Sequence, residues 1–453
     1  MNHTDGDMEA RSPWSGLQGV VEAELHPPVG PVHQPEWIVA GSKSVTNRVF
    51  LMAAMADGSS VIGNALRSDD TYWCLDALRR LGVKADITGE DIRIGGTGGA
   101  WPNRKADLYA GAAGTVARFL PGLLAGDEGG LWRMEGSRSL RERPIAPLVT
   151  ALSAMGAEIR YADEEGKLPI EIAGKRLRGG AVSLSGSVSS QFLSGVLLAS
   201  PYAAEETEIV VPDGIVQHAY VRITIELMEH FGVPVTHGDR FDRFVVRPRR
   251  YRGQTLSIEA DASTACYPLA FAALTGGYIR IANLDPRTRQ PDIGFAELLR
   301  RMGCRVGLDG GAVELWGAPR LRGGFEISMK EMSDQAMTLA AIAPFADAPI
   351  TITGVAHIRT HECDRIAAIC ESLGKLGIRV DEREDGMTIH PGIPSAAVLP
   401  TYDDHRVAMS LALIGARVPG IRLLDPGCVS KTCPTFFDDM SRLGLQVRLH
   451  SVR

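Results

Sequence analysis

Six times along the 453-residue chain a helical pattern closes on an apolar residue and a glycine, and a short alternating segment follows at once: LGVKADI, MGAEIRY, FGVPVTH, MGCRVGL, LGIRVDE and LGLQVRL. The glycines are Gly82, Gly156, Gly232, Gly303, Gly377 and Gly444, separated by 74, 76, 71, 74 and 67 residues. Glycine takes up the left-handed conformation after a helix at no steric cost, so each marks a tight α-to-β join. One such join is ordinary in an α/β protein. Six at near-equal spacing predict six copies of one α/β unit of about 70 residues.

Six copies group as three and three, with a crossover expected within GQTLSIEADASTACYPLAFAAL, residues 253–274, which reads as a strand, an Asp/Ser helix start and a buried helix. Residues 1–41 would precede the first copy. Two groups imply two lobes, and a cleft between lobes is the default place for a ligand.

Composition narrows the function. The chain is 45% apolar and 23% charged with a net charge of -6, which argues against nucleic-acid binding through a broad basic face, so any anion site must be local. The seven cysteines are scattered without a CxxC pair, as expected of a reduced, cytoplasmic protein. The start, MNHTDGDMEARSPW, lacks the basic and apolar regions of a signal peptide and reads as a loose tail. No membrane segment is expected, because the longest apolar run, residues 336–356, is broken by Pro344, Asp347 and Pro349.

Against that background, polar clusters sit at the starts of apolar helices. GSKSVTNR offers Ser42 or Ser44 as a cap, with Lys43 and Arg48 able to complete an anion pocket at the positive end of the helix. GAAGTVARF places Gly111 and Gly114 around a turn ahead of Thr115 and Arg118. GSRSLRERP sets Arg138, Arg141 and Arg143 close together, a pattern suited to bidentate anion binding, with Pro144 able to occupy the first turn of a helix. Ser189, Ser190 and Gln191 either cap the helix that follows or meet a phosphate and a polyol. In the second half, Asp334 falls in the first turn of an apolar helix. HIRTHECDR carries His357, Arg359, His361, Glu362, Asp364 and Arg365, YDDHR carries Asp403, Asp404, His405 and Arg406, and VSKTCP offers Lys431. Acids beside cations point to catalysis on an anion. No metal is expected, since HECDR is not HExxH and the neighbouring arginines would repel a dication. GGTGGA at residues 95–100 reads as a turn, and no GxxxxGK[ST] phosphate loop is present.

Taken in order, GSKSVTNR, SDD at Ser68–Asp70, AGT at Ala113–Thr115, LRERP, GSVSSQF, DAS at Asp261, the Asp334 helix, ECDR, YDDHR and SKTCP resemble the 5-enolpyruvylshikimate-3-phosphate synthase family from about Gly41 to the end. The resemblance implies an α/β, two-lobed enolpyruvyl transferase fold, each lobe three βαβαββ repeats forming an inside-out α/β barrel. Residues 1–41 and 262–453 would form one lobe, on the phosphoenolpyruvate side, and residues 42–261 the other, on the shikimate 3-phosphate side.

The resemblance also implies roles. Phosphoenolpyruvate would meet Lys43, Gly114, Arg143, Arg365, Arg406 and Lys431, and shikimate 3-phosphate would meet Ser44, Arg48, Ser189, Ser190, Gln191, Tyr220, Asp334 and His361. Asp334 would take or orient the proton of the acceptor hydroxyl, Glu362 would shuttle the methyl proton, and Lys43 would take part in catalysis. Closure of the lobes would assemble the site. Phosphoenolpyruvate and shikimate 3-phosphate are the expected partners, with no cofactor, nucleic acid or membrane, and a monomer is expected. Departures from the family pattern are Ala112 for an asparagine, Gln217 for a serine, and His357 and His361 for an asparagine and a lysine. These leave two alternatives open: an enolpyruvyl transferase acting on another phosphorylated cyclitol, and a non-catalytic phosphosugar-binding protein.

Overall fold

The computed structural model describes residues 7–451. The chain divides into two compact units. A terminal unit comprises residues 7–8, 14–40 and 259–451, and a central unit comprises residues 9–13 and 41–258.

Each of the six marker glycines lies in left-handed backbone, with φ between +82° and +106°. The strands expected after them are present as Ala85–Thr88, Glu158–Tyr161, Val235–His237, Arg305–Asp309, Val380–Arg383 and Gln446–Ser451. Each is the edge strand of its own four-stranded sheet. The sheet around Lys105–Tyr109 shows the common plan: Lys105–Tyr109 runs parallel to Leu131–Glu135, which pairs antiparallel with Ile170–Ala173, which pairs antiparallel with Glu158–Tyr161.

Three strands are borrowed from distant sequence. Thr255–Ser257, at the end of the central unit, runs parallel to Ser59–Gly63 in that unit's first sheet. His33–Trp37 supplies the parallel edge beside Tyr278–Ile281. Val20–His26 fills the last sheet between Ile421–Leu424 and Gln446–Ser451. Residues 14–40 are therefore not a preamble to the first copy; they complete two sheets of the terminal unit. The start of the chain is likewise no loose tail over its described part. Asp7, Ala10 and Ser12 are buried, and residues 9–13 belong to the central unit.

Within each repeat the two helices differ. The helix ahead of the glycine marker is amphipathic, as in Arg365–Lys375, whereas the other is enclosed on nearly every side. Gly114–Ala125, Ala336–Ile342 and His405–Ala412 are buried throughout. Lys43–Met55 is buried except at Lys43 and Ser44, and Ser190–Ala199 except at Gln191. The seven cysteines are all free. No helix among the described residues is long and apolar enough to cross a membrane.

A Cβ at Gly377 would meet nothing closer than Ser395 Oγ at 3.8 Å. Gly377→Ala therefore isolates the cost of left-handed backbone and should lower stability by about 1–2 kcal/mol, read as a shift in the urea midpoint of the terminal unit.

Candidate active site

In the central unit three enclosed helices begin close together. Asn47 Nδ2, on Lys43–Met55, donates to Thr115 Oγ1 on Gly114–Ala125 at 2.7 Å. Arg118 Nη1, one turn further along, donates to Gln191 Oε1 at the start of Ser190–Ala199 at 2.9 Å. Ser189 caps that last helix by accepting from the Gln191 N–H. Gly114 is bare for a reason: a Cβ there would lie 2.5 Å from Arg118 Nη1 and 3.1 Å from Arg143 Nη1. Two guanidinium groups thus converge over one glycine. Lys43 Nζ stands 3.2 Å from Asp70 Oδ2, in the first turn of the Asp69–Arg80 helix.

Arg48 departs from the expectation of a ligand-facing cation. It is 1% exposed, and its donors go to Thr224 Oγ1 at 2.7 Å, the Ser44 carbonyl at 2.9 Å, the Tyr220 carbonyl at 3.4 Å and Ser194 Oγ at 3.5 Å. Burial pulls its pKa down to about 10. In this arrangement Arg48 ties Lys43–Met55 to Ser190–Ala199 and His218–His230. One signal for it was Ser194, a lone hydroxyl in the apolar middle of its helix.

Other local expectations are corrected. Ser42 occupies the cap position, yet its side chain makes no capping bond; its carbonyl accepts from Thr46 Oγ1 instead. Of the three arginines in GSRSLRERP only Arg143 reaches Gly114. Arg141 pairs at 2.8 Å with Glu135 on the exposed surface, and Arg138 is exposed. Pro144 precedes the Ala146–Ala154 helix, whose first turn holds Pro147, and the Pro144 carbonyl accepts from Arg118 Nη2. Gln217 sits in left-handed backbone at φ +50°, just ahead of the helix that carries Tyr220.

In the terminal unit the cluster is built around Arg365, which is 2% exposed. Its Nε donates to Asp404 Oδ2 at 2.8 Å, Nη1 to Asp334 Oδ1 at 2.9 Å, and Nη2 to Glu362 Oε2 at 3.0 Å. Lys431 Nζ takes the other Glu362 oxygen at 3.0 Å. Arg406 reaches Asp334 Oδ2 at 3.5 Å and Tyr267 Oη at 3.3 Å, while its buried Nε has no acceptor among the described residues. His361 Nδ1 lies 3.0 Å from Arg365 Nη1; since arginine only donates, that nitrogen is the acceptor and the ring proton is on Nε2. His357 Nε2 lies 2.8 Å from Ser333 Oγ.

The local folding explains the gathering. Asp334 lies in a single 3-10 turn, Ser333–Gln335, immediately before the helix Ala336–Ile342 rather than inside it. Asp364 and Asp404 cap their helices through their own side chains. Asp404 therefore has two duties, capping Arg406 N–H and holding Arg365.

Burial alone would raise the pKa of Asp334, but Arg406 and then Arg365 outweigh it and hold the carboxyl well below the usual range. Burial likewise opposes the charge of Arg365, and Asp404, Glu362 and Asp334 more than restore it. Behind them lies a carboxylate the motifs did not reveal, Asp292, which accepts from Ser263 Oγ and from Gln335 Nε2 at 2.8 Å. Burial, and then the charge of Asp334, push it up to about 6 against the pull of Arg406.

Removing Asp404 would leave Arg365 short of its buried partner and strip a cap, so Asp404→Ala should cost about 3–5 kcal/mol, measured by thermal unfolding. Asp292 acts in a defined pH window. Its folded pKa lies above the unfolded value, so its ionisation removes stability as pH rises from about 4 through about 6. Asp292→Asn should therefore be more stable than the parent by about 2 kcal/mol at pH 7 and lose that advantage at pH 4. Asp334 has the opposite sense: its contribution is present above the usual carboxylate range and is lost only as pH falls below it.

The chain resembles known proteins over nearly its whole length. The EPSP synthase (3-phosphoshikimate 1-carboxyvinyltransferase) family profile matches residues 34–440. The chain is 53% identical to 3-phosphoshikimate 1-carboxyvinyltransferase 2 of Halalkalibacterium halodurans, over 97% of this chain and 98% of that protein. It is 40% identical to the 3-phosphoshikimate 1-carboxyvinyltransferase of Trichormus variabilis, over 88% and 94% respectively. The structure of EPSP synthase from Acinetobacter baumannii superposes with a TM-score of 0.79 at 26% identity, covering 95% of this chain and all of that one. The six four-stranded sheets and two repeat-built units are the enolpyruvyl transferase architecture that the glycine spacing and motif order anticipated. With the buried cation and carboxylate clusters at its helix starts, this chain belongs to the EPSP synthase, or 3-phosphoshikimate 1-carboxyvinyltransferase, family.

Proposed function

We propose that the chain transfers the enolpyruvyl group of phosphoenolpyruvate to the 5-hydroxyl of shikimate 3-phosphate with release of phosphate, a step of aromatic amino acid biosynthesis, using the two clusters described above. The observation that carries the assignment of residues is the cluster around Arg365. Two buried arginines and a lysine are held there against carboxylates, and Arg406 Nε has no acceptor among the described residues. Phosphoenolpyruvate presents a carboxylate and a phosphate, which arginine forks match and lysines neutralise. Arg365, Arg406 and Lys431 meet these anions, together with Lys43, Gly114 and Arg143 of the central unit. Shikimate 3-phosphate takes Ser44, Ser189, Ser190, Gln191, Tyr220, Asp334 and His361. Arg48, which donates to four protein oxygens, serves it by fixing the helices that carry Ser44 and Tyr220.

The chemistry needs a proton taken from the hydroxyl as its oxygen bonds to C2 of phosphoenolpyruvate, and a proton given to C3. Phosphate then leaves from C2 as the C3 proton is removed. At rest Asp334 is pinned as a carboxylate by Arg365 and Arg406 and is a weak base. Substrate anions that share those arginines weaken their hold on it and raise its proton affinity, so binding itself prepares the base. Glu362 is held on one oxygen by Arg365 and on the other by Lys431; once substrate anions draw those cations away it takes a proton from solvent, gives it to C3 and retakes it as phosphate leaves.

The test is inorganic phosphate release from phosphoenolpyruvate in buffer with EDTA, with and without shikimate 3-phosphate. Release should require the acceptor. Glu362→Gln should reduce it about 100-fold or more, while phosphoenolpyruvate binding, read by calorimetry, persists. Release only with a different phosphorylated cyclitol would move the acceptor assignment, and unaltered turnover by Glu362→Gln would remove Glu362 from the proton step.

A further inference from the structure

The described start of the chain, outside the residues matched by the family profile, makes four hydrogen bonds to the central unit at places that lead to its cations. Ser12 donates twice to the same carboxylate oxygen, Asp69 Oδ1, through its backbone N–H at 3.1 Å and its hydroxyl at 2.7 Å. Trp73 Nε1 donates to the Ala10 carbonyl at 2.9 Å, and Tyr109 Oη to the Glu9 carbonyl at 3.0 Å. Ala10, Ser12 and Asp69 are all buried.

What these groups touch next gives the contacts a function. Asp69 and Asp70 form the first turn of the Asp69–Arg80 helix, and Asp70 holds Lys43 at 3.2 Å. The same start is tied to the Lys43–Met55 helix, because Leu66 N–H donates to Thr46 Oγ1 and Thr71 Oγ1 donates to the Leu66 carbonyl. Trp73 meets Tyr109 edge-on at a centroid distance of 5.0 Å. Its indole also lies against Gly111, where a Cβ would come within 2.2 Å of the ring. Gly111 opens the turn that ends at Gly114, beneath Arg118 and Arg143. One five-residue segment therefore supports both turns from which the central unit presents its cations.

We infer that Glu9–Pro13 is a clasp that pre-organises the phosphoenolpyruvate-binding cations of the central unit, and that Ser12 is a positioning residue acting on Lys43 through Asp69 and Asp70. The inference rests on the proposed role of Lys43 at phosphoenolpyruvate. Without the clasp, Asp69 loses two donors and the Trp73 N–H loses its acceptor. Water replaces them, the first turn of the helix loosens, and Asp70 no longer fixes the lysine. A cation that must be ordered on binding contributes less affinity than one already in place.

The experiment replaces residues 9–13 of the full chain by a five-residue Gly/Ser linker, alongside Ser12→Ala, Ser12→Thr and Lys43→Met. Amide hydrogen exchange at the start of the Asp69–Arg80 helix reports release of the clasp. The linker variant should exchange faster there and show a phosphoenolpyruvate KM raised about fivefold or more, with the shikimate 3-phosphate KM within about twofold. Ser12→Ala should move the same way by less, and Ser12→Thr, which keeps the hydroxyl, should restore the parent value. Faster exchange with an unchanged phosphoenolpyruvate KM overturns the clasp, as does an equal rise in both KM values accompanied by a lower unfolding midpoint. Lys43→Met separates the two readings. If it raises the phosphoenolpyruvate KM and the linker does not, the clasp alone fails; if it leaves that KM unchanged, the role of Lys43 fails and the inference goes with it.

Discussion

A helix enclosed on every side can carry polar chemistry only at its ends, and most of this protein's functional geometry follows from that constraint. Lys43–Met55, Gly114–Ala125, Ser190–Ala199, Ala336–Ile342 and His405–Ala412 are apolar because the packing around them leaves almost no wet face. The N-terminus of each also carries the positive end of its helix dipole, with Ser189 and Asp404 already capping two of them. Within each unit, polar side chains can therefore be offered only from the first turn of such a helix or the loop just before it.

That placement also reconciles an acidic chain with anionic substrates. The net charge of -6 gives no general attraction for phosphate. The cations are instead local and balanced, the half-buried Lys43 by Asp70 and the buried Arg365 by Asp334, Glu362 and Asp404. A buried guanidinium without partners would be very costly, so the carboxylates keep the ligand-free protein folded. Two of them, Asp334 and Glu362, are also the groups proposed above to move protons in the reaction. In the proposed mechanism, substrate anions exchange places with them at the arginines, and the electrostatic cost of holding the site ready is turned into a change of basicity at Asp334.

Much of this was legible in the residues. The glycine markers located all six edge strands because left-handed backbone after a helix has a strong residue preference, which the torsion angles bear out. The motifs located Asp334, Glu362, Arg365, Arg406 and Lys431, which the fold brings into one cluster. Less visible were the groups that orient them. Asp292 stands in a segment, TRQPDIGF, with no helical cluster to flag it, and its contact with Gln335 spans 43 positions. Arg48 reads as a ligand-facing cation beside Lys43, but its position one turn along an enclosed helix turns it inward to Thr224 and Ser194. Arg138 and Arg141 read as anion binders beside Arg143, but their short helix leaves them at the surface.

By itself the sequence determined the repeat, the kind of secondary structure at each join and the residue types available for anion chemistry, because periodicity, glycine torsion preference and helix-start composition are local properties. Only the tertiary structure decided which of those residues share a cluster and which are spent on support. It also placed Val20–His26 and His33–Trp37 inside sheets whose other strands come from the second half of the chain, and Glu9–Pro13 against Asp69, Trp73 and Tyr109. The physical reason is the same in each case. Sheet edges and buried polar groups must be satisfied by whatever backbone or side chain the fold brings near, and sequence separation carries no information about which partner that is.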